Sequence, residues 1–235
     1  MNQSITANTH TDHHIDKQGE HHAEHDPRLQ HHFATFEQQF DAAKIGMWLF
    51  IATEVLMFGG LFVGFALQQA AHPEAFVAAH HHLDKNLGAL NTIVLLISSF
   101  TAVMAVHSAA TNQRKKLILN LVITLICAGI FLVVKYFEYE HKIHEGLLPG
   151  AYFSYKGHGS EVPNQFIFFS FYFMMTGLHG IHILVGMGVI GWVLRRAIRG
   201  DFDSTYYTPV DLVALYWHLV DLIWIYLFPL LYLIS

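Results

Sequence analysis

At 235 residues, 53% hydrophobic and 13% charged, the chain is too apolar for an ordinary soluble domain. Its single cysteine, Cys127, lies inside an uncharged run, which excludes a disulfide framework and a cysteine-based metal site. A formal charge of -5, carried largely by the tail and loops, speaks against a nucleic-acid surface.

The chain begins polar. Of its 19 histidines, His10, His13, His14, His21, His22, His25, His31 and His32 all precede Phe33 and are mixed with Asp and Glu. Such a composition buries too little surface to offset ordering. Residues 1–32 are therefore expected to form a disordered His-rich tail, and residues 33–235 a five-helix transmembrane domain. His13, His14, His21 and His22 are weak candidates for loose Zn²⁺ or Cu²⁺ binding, with a solvated tail as the simpler account. No apolar stretch follows a basic start, so a cleavable signal peptide is not expected. Phe33, Phe36 and Phe40 recur at helical spacing, which predicts a lead-in over Phe33–Lys44 lying along the membrane surface.

Five apolar runs follow, at Ile45–Leu67, Leu87–Ala109, Leu117–Phe137, Phe166–Leu194 and Leu212–Ile234. Each is near the ~20 residues that cross a hydrocarbon core. Backbone groups in lipid must be satisfied within the segment, so these runs are helices, and the fold class is an all-α integral membrane helical bundle with five transmembrane helices. With the N-terminus cytoplasmic, the inside segments hold Lys17, Arg28, Lys44, Arg114, Lys115, Lys116, Arg195, Arg196 and Arg199. The outside segments hold Lys85, Lys142 and Lys156, with Lys135 close to the same face. The positive-inside bias then places the C-terminus on the periplasmic side.

Four polar groups interrupt the apolar spans. Glu54 sits near the middle of Met47–Phe65, where translocon scales put a charge at roughly +2.5 to +3.5 kcal/mol. It is either a carboxyl hydrogen-bonded to a neighbouring helix or a proton-relay residue. His179 and His182 share a helix face at i,i+3 in TGLHGIHILVG. A haem or metal role needs further ligands from other helices, with Glu54, His107 and His218 as candidates by type. Interhelical hydrogen bonding is the simpler account, with Gly177, Gly180 and Gly186 allowing close approach. His218 and Asp221, beside Trp217 in ALYWHLVDLIW, are again i,i+3 and can share a hydrogen bond. Lys135 and Glu138 can pair at the outer interface. His141, His144, Glu145 and His80–His82 have ligand-like spacing but read as a solvated face. Arg195, Arg196 and Arg199 close the fourth span and can hold a lipid phosphate. Neither a nucleophilic triad nor a phosphate loop or dinucleotide fingerprint is present, so no self-contained active site is expected.

GMWLFIATEVLMFGGLF, KYFEYEHKIHEG, FYFMMTGLHGIHILVG and ALYWHLVDLIWIYLFPLLYL, in this order, resemble subunit III of the haem–copper respiratory oxidases. The resemblance runs from about Phe36 to Ser235 and rests on several separate motifs. It implies a multi-pass subunit of the bacterial inner membrane that binds no cofactor itself, the haem and copper lying in partner subunits. It also implies contact with oxidase subunits I and II, structural phospholipid, and a place in a larger respiratory supercomplex. Glu54 matches the family's carbodiimide-reactive carboxylate and His182 the histidine expected near it. Arg196 and Arg199 match basic lipid-head positions, Asp211 stands where many members have Glu, and His218 and Asp221 match W-H-x-x-D. Many members have seven spans, so this chain resembles the shorter five-span form. Tyr206 and Tyr207 stand where some members carry a His pair.

The resulting expectation is an accessory, non-redox subunit of a proton-pumping cytochrome c oxidase, stabilising the catalytic subunit and holding lipid, with no catalytic residue of its own. The same pattern serves quinol oxidases and a nitric oxide reductase-associated homologue. A stand-alone His-rich metal-binding protein or transporter is the competing class.

Overall fold

The computed structural model describes residues 30–156 and 162–233. The element order is α1 (Phe36–Ala71), α2 (Pro73–His80), α3 (Lys85–Ala110), α4 (Arg114–His144), a short 3₁₀ turn (Gly150–Tyr152), α5 (Gln165–Arg199) and α6 (Thr208–Tyr232). Five of these helices, all but α2, are long and apolar enough to cross a membrane. Among the described residues there is no strand. The expected tail and its histidines up to His25 lie outside the described residues.

Local chemistry sets the helix ends. Thr35 caps α1 by accepting from the Gln38 amide at 3.1 Å, and Asp84 caps α3 by accepting from Asn86 and Leu87 at 2.8 and 3.3 Å. Pro209 stands at the start of α6, where the missing amide proton is harmless. Gly200, at φ 89°, ends α5 in the left-handed conformation that glycine takes without strain.

The helices overrun the expected spans. α1 has 36 residues, about 54 Å of helix against a hydrocarbon core of ~30 Å. The surface lead-in expected over Phe33–Lys44 is instead continuous with the first span from Phe36 onward. The reason is tertiary: Phe36 and Phe40 lie 6.2 and 6.1 Å from Tyr206 and Tyr207, and Lys44 pairs with Asp211 of α6 at 3.3 Å. These contacts hold the lead-in upright against the start of α6. The connection read as Gln68–Asn86 contains α2, whose Phe76 is fully buried against Phe65 and Phe168.

α6 is the hub. It packs on α3, α5 and α1, and 50% of its most apolar stretch is buried, against 11% for α1. Trp217 and Trp224 on this helix are fully buried, with indole N–H groups donating to Ser98 at 2.7 Å and Thr92 at 3.1 Å. Gly186 lets α5 approach, since a Cβ there would stand 2.7 Å from the Trp217 ring. Gly177 and Gly180, expected to do the same, face open space or only the Tyr139 hydroxyl at 3.8 Å. One end of the bundle holds the start of α1 and the α3–α4 and α5–α6 turns; the other holds α2 and the segment between α4 and α5. They are called here the tail end and the loop end.

Candidate functional site

Two acid–base clusters and one polar groove lie within the membrane-spanning helices. The first joins α1 to α5. Glu54 Oε2 stands 3.0 Å from His182 Nε2, and each side chain is 14% exposed. His182 Nδ1 is 2.8 Å from the Leu178 carbonyl. A carbonyl only accepts, so Nδ1 carries its hydrogen and Nε2 faces Glu54 as the exchangeable site. The 3.0 Å contact between Nε2 and Oε2 is a hydrogen bond across α1 and α5. Phe58 packs edge-on against the imidazole at 5.5 Å, and the Tyr216 hydroxyl donates to the His182 carbonyl at 3.0 Å.

His179 does not join this pair. It is fully buried on another side of α5, stacked on Trp224 at 5.4 Å and edge-on to Phe131 at 5.5 Å. Neither of its ring nitrogens has a hydrogen-bond partner. The i,i+3 spacing put both histidines on one broad face, but α1 and α6 divide that face between them. His107 is exposed near the end of α3, a helix that packs mainly on α4 and α6.

The second cluster joins α4, α5 and α6 nearer the loop end. Lys135 Nζ donates to Glu138 Oε2 at 3.0 Å, Tyr172 Oη at 3.2 Å and Tyr232 Oη at 2.9 Å, which uses all three ammonium protons. The Tyr172 and Tyr232 hydroxyls donate in turn to Glu138 Oε1. The ammonium also lies over the Trp224 and Tyr172 rings, 5.1 Å from each centroid. The expected interfacial pair is therefore a buried, closed network. Tyr139 bonds Thr176 beside it.

The groove lies between α3 and α6. His218 Nδ1 is 2.7 Å from Ser99 Oγ, so His218 pairs with α3 rather than with Asp221. Asp221 is 2% exposed, and neither carboxyl oxygen has a hydrogen-bond partner. The expected His218–Asp221 bond is not formed, because both side chains turn toward α3.

At the tail end Arg196 pairs with Asp201 at 3.0 Å and lies over Trp192 and Phe202 at 5.0 Å each. It is already engaged within the chain, whereas Arg195 and Arg199 are exposed. Arg114 Nε donates to the Ala197 carbonyl at 3.0 Å, and its Nη2 to that of Ile198. A guanidinium from the start of α4 thus satisfies the last carbonyls of α5. At the loop end His141 pairs with Glu145 at 3.1 Å in an exposed setting, as a solvated face would. Burial lowers the pKa of His80 and of His82 below the ordinary 6.5, opposed by the Val77 carbonyl at His80 and by Glu145 at His82. Among the described residues no three His, Cys, Asp or Glu side chains converge as a metal site would require.

Sequence reasoning missed Tyr172, Tyr232, Ser99 and Arg114. For Ser99 a signal existed: Thr92 and Ser99 recur at i,i+7 on α3, a polar stripe inside an apolar span. For the tyrosines there was none, since phenols are ordinary at membrane boundaries.

Residues 27–235 match the family described as cytochrome c oxidase subunit III. The chain belongs to that family. Among curated relatives, quinol oxidase subunit 3 of Bacillus spizizenii is 30% identical over 206 residues, covering 86% of this chain and 93% of the relative. Quinol oxidase subunit 3 of Bacillus subtilis is 28% identical, with the same coverage. The probable quinol oxidase subunit 3 of Staphylococcus saprophyticus is 28% identical over 82% of this chain and 89% of its own. This subunit III family member is thus a subunit of a haem–copper terminal oxidase. The intramembrane pairs are features of a subunit in a multi-subunit complex, and membership implies association with the other oxidase subunits.

Proposed function

We propose that the chain is the accessory subunit III of a haem–copper oxidase that takes its electrons from quinol rather than from cytochrome c. The observation that carries the reading is the relatives' naming: each of the three is a quinol oxidase subunit 3 or probable one. Quinol was the alternative donor to cytochrome c in the sequence reading, and the relatives favour it. In this reading the chain holds no haem or copper and contributes packing. Its α1 face, with Trp48, Leu49, Leu56, Val63 and Leu67 exposed, meets lipid and the catalytic subunit. Arg195 and Arg199 hold phospholipid headgroups at the tail end, while Arg196 braces the α5–α6 turn. The N-terminus is cytoplasmic, the C-terminus periplasmic, and the membrane is the bacterial inner membrane, on the strength of the Lys and Arg distribution.

The test is to purify the complex through a tag on this chain under mild detergent. Oxygen uptake is then compared with reduced quinol and with reduced cytochrome c, alongside the optical spectrum. Haem-containing partners and quinol-driven uptake are expected. Uptake driven by cytochrome c alone would return the donor to the original expectation. Isolation as a single haem-free, metal-loaded protein would instead favour a stand-alone His-rich carrier.

A further inference from the structure

We propose that Asp221, Ser99 and His218 form a hydrated, proton-exchanging site in the middle of the membrane, in the groove between α3 and α6. The inference is independent of the electron donor and of the Glu54–His182 pair.

Three observations support it. A cavity of about 180 Å³ is lined by Thr92, Ser99, His218 and Asp221, with Leu95 and the half-exposed Leu222 also in its wall. Asp221 and Ser99 fall near the midpoints of their helices, far from both bundle ends. Asp221 is 2% exposed and lines this cavity with both oxygens unpartnered, although buried polar groups are nearly always hydrogen-bonded. The groups that face its carboxyl are Ser99 from α3 and Cys127 from α4, with His218 one turn back on α6. None is a cation of fixed charge, so there is no salt-bridge partner of the kind that Glu138 finds in Lys135.

Water supplies what is lacking. A buried water needs two to four polar partners and occupies ~30 Å³ of liquid volume, so the cavity has room for several. The carboxyl oxygens, the Ser99 hydroxyl and His218 Nε2 provide those partners, since Nδ1 is committed to Ser99. Ser99 bonds His218 and faces the Asp221 carboxyl, so water between them lets a proton exchange between carboxyl and imidazole without the pair touching.

The experiment uses the intact purified oxidase complex and infrared difference spectroscopy in H₂O and D₂O. A carboxylic acid C=O band is expected in the wild type, absent in Asp221→Asn, and shifted to lower frequency in D₂O. Ser99→Ala should move the band by removing a hydroxyl partner. Leu222→Trp, at the mouth of the cavity, should fill it, keeping the band and abolishing its D₂O shift. The latter two variants keep the test decisive if Asp221→Asn does not assemble. The proposal is overturned by a band insensitive to D₂O, by Leu222→Trp leaving exchange unchanged, or by absence of any Asp221 carboxylic acid band. It is also overturned if the D₂O shift appears only after the subunits dissociate, since a neighbouring subunit's side chain would then occupy the cavity.

Discussion

Lys135–Glu138 and Glu54–His182 are two acid–base pairs within one membrane thickness, built on opposite plans. The first is enclosed by three helices, and two tyrosines complete its hydrogen bonding. The second bridges two helices at the edge of the bundle, where α1 buries little of its surface. The closed pair serves the fold, because its ammonium protons and both carboxylate oxygens are committed to partners on its own three helices. The open pair contributes less to the fold and remains accessible to lipid, reagent or partner. What separates the two pairs is completion: the first has its hydrogen bonds satisfied by its own helices, whereas the second leaves part of each side chain exposed.

The largest effect that would break this contrast is at Lys135. Lys135→Met leaves Glu138 buried without its cation and should cost about 3–5 kcal/mol, read as loss of assembled complex and a lower thermal midpoint. The double variant Lys135→Met with Glu138→Gln should recover part of it. If the single variant is as stable as the wild type, the closed pair does not hold the three helices together. Arg114→Ala should cost less, about 1 kcal/mol, by removing the side-chain donor of the Ala197 and Ile198 carbonyls, of which Ala197 keeps the Gly200 amide. Protease sensitivity confined to the α5–α6 turn would report it.

Glu54→Gln should fall at or below about 1 kcal/mol, because an amide still reaches His182 and the site is partly exposed. A membrane-soluble carbodiimide should label Glu54 and spare Glu138, as mass spectrometry of peptides would show. Labelling of Glu138 would erase the difference between the two sites. The smallest effect is at the loop end. The folded His80, buried, and His82, partly buried, resist protonation because burial disfavours the charged ring, so their pKa values lie below 6.5. As pH falls below 6.5 the unfolded chain takes up protons that the folded chain does not, and stability drops; above it their contribution is fully present. Thermal midpoints should decline on acidification, and His80→Gln with His82→Gln should flatten the slope.

Much of the fold was legible because a bilayer leaves few options. Five apolar runs predict five spanning helices, and their order follows from the chain. The helix ends were less legible, since Lys44, Phe36 and Phe40 extend α1 through contacts with residues more than 150 positions away, which no local pattern encodes. The same holds within the spans. Spacing alone grouped His179 with His182 and His218 with Asp221, yet neither pair forms: the two histidines of α5 meet different helices, and His218 and Asp221 both turn to α3. The Glu54–His182 juxtaposition followed from family resemblance, not from periodicity. Tyr172 and Tyr232 were invisible as partners of Lys135 because an aromatic in an apolar run reads as packing until its hydroxyl is placed.

Arg114 lies 83 residues before the Ala197 carbonyl it caps. Synthesis runs from the N-terminus, so the guanidinium is in place before the helix it will close has been made. α5 therefore emerges toward a waiting anchor, and its final turn can be fixed as soon as it is inserted. A chain truncated before α5 would leave that guanidinium without its α5 carbonyls at the membrane surface.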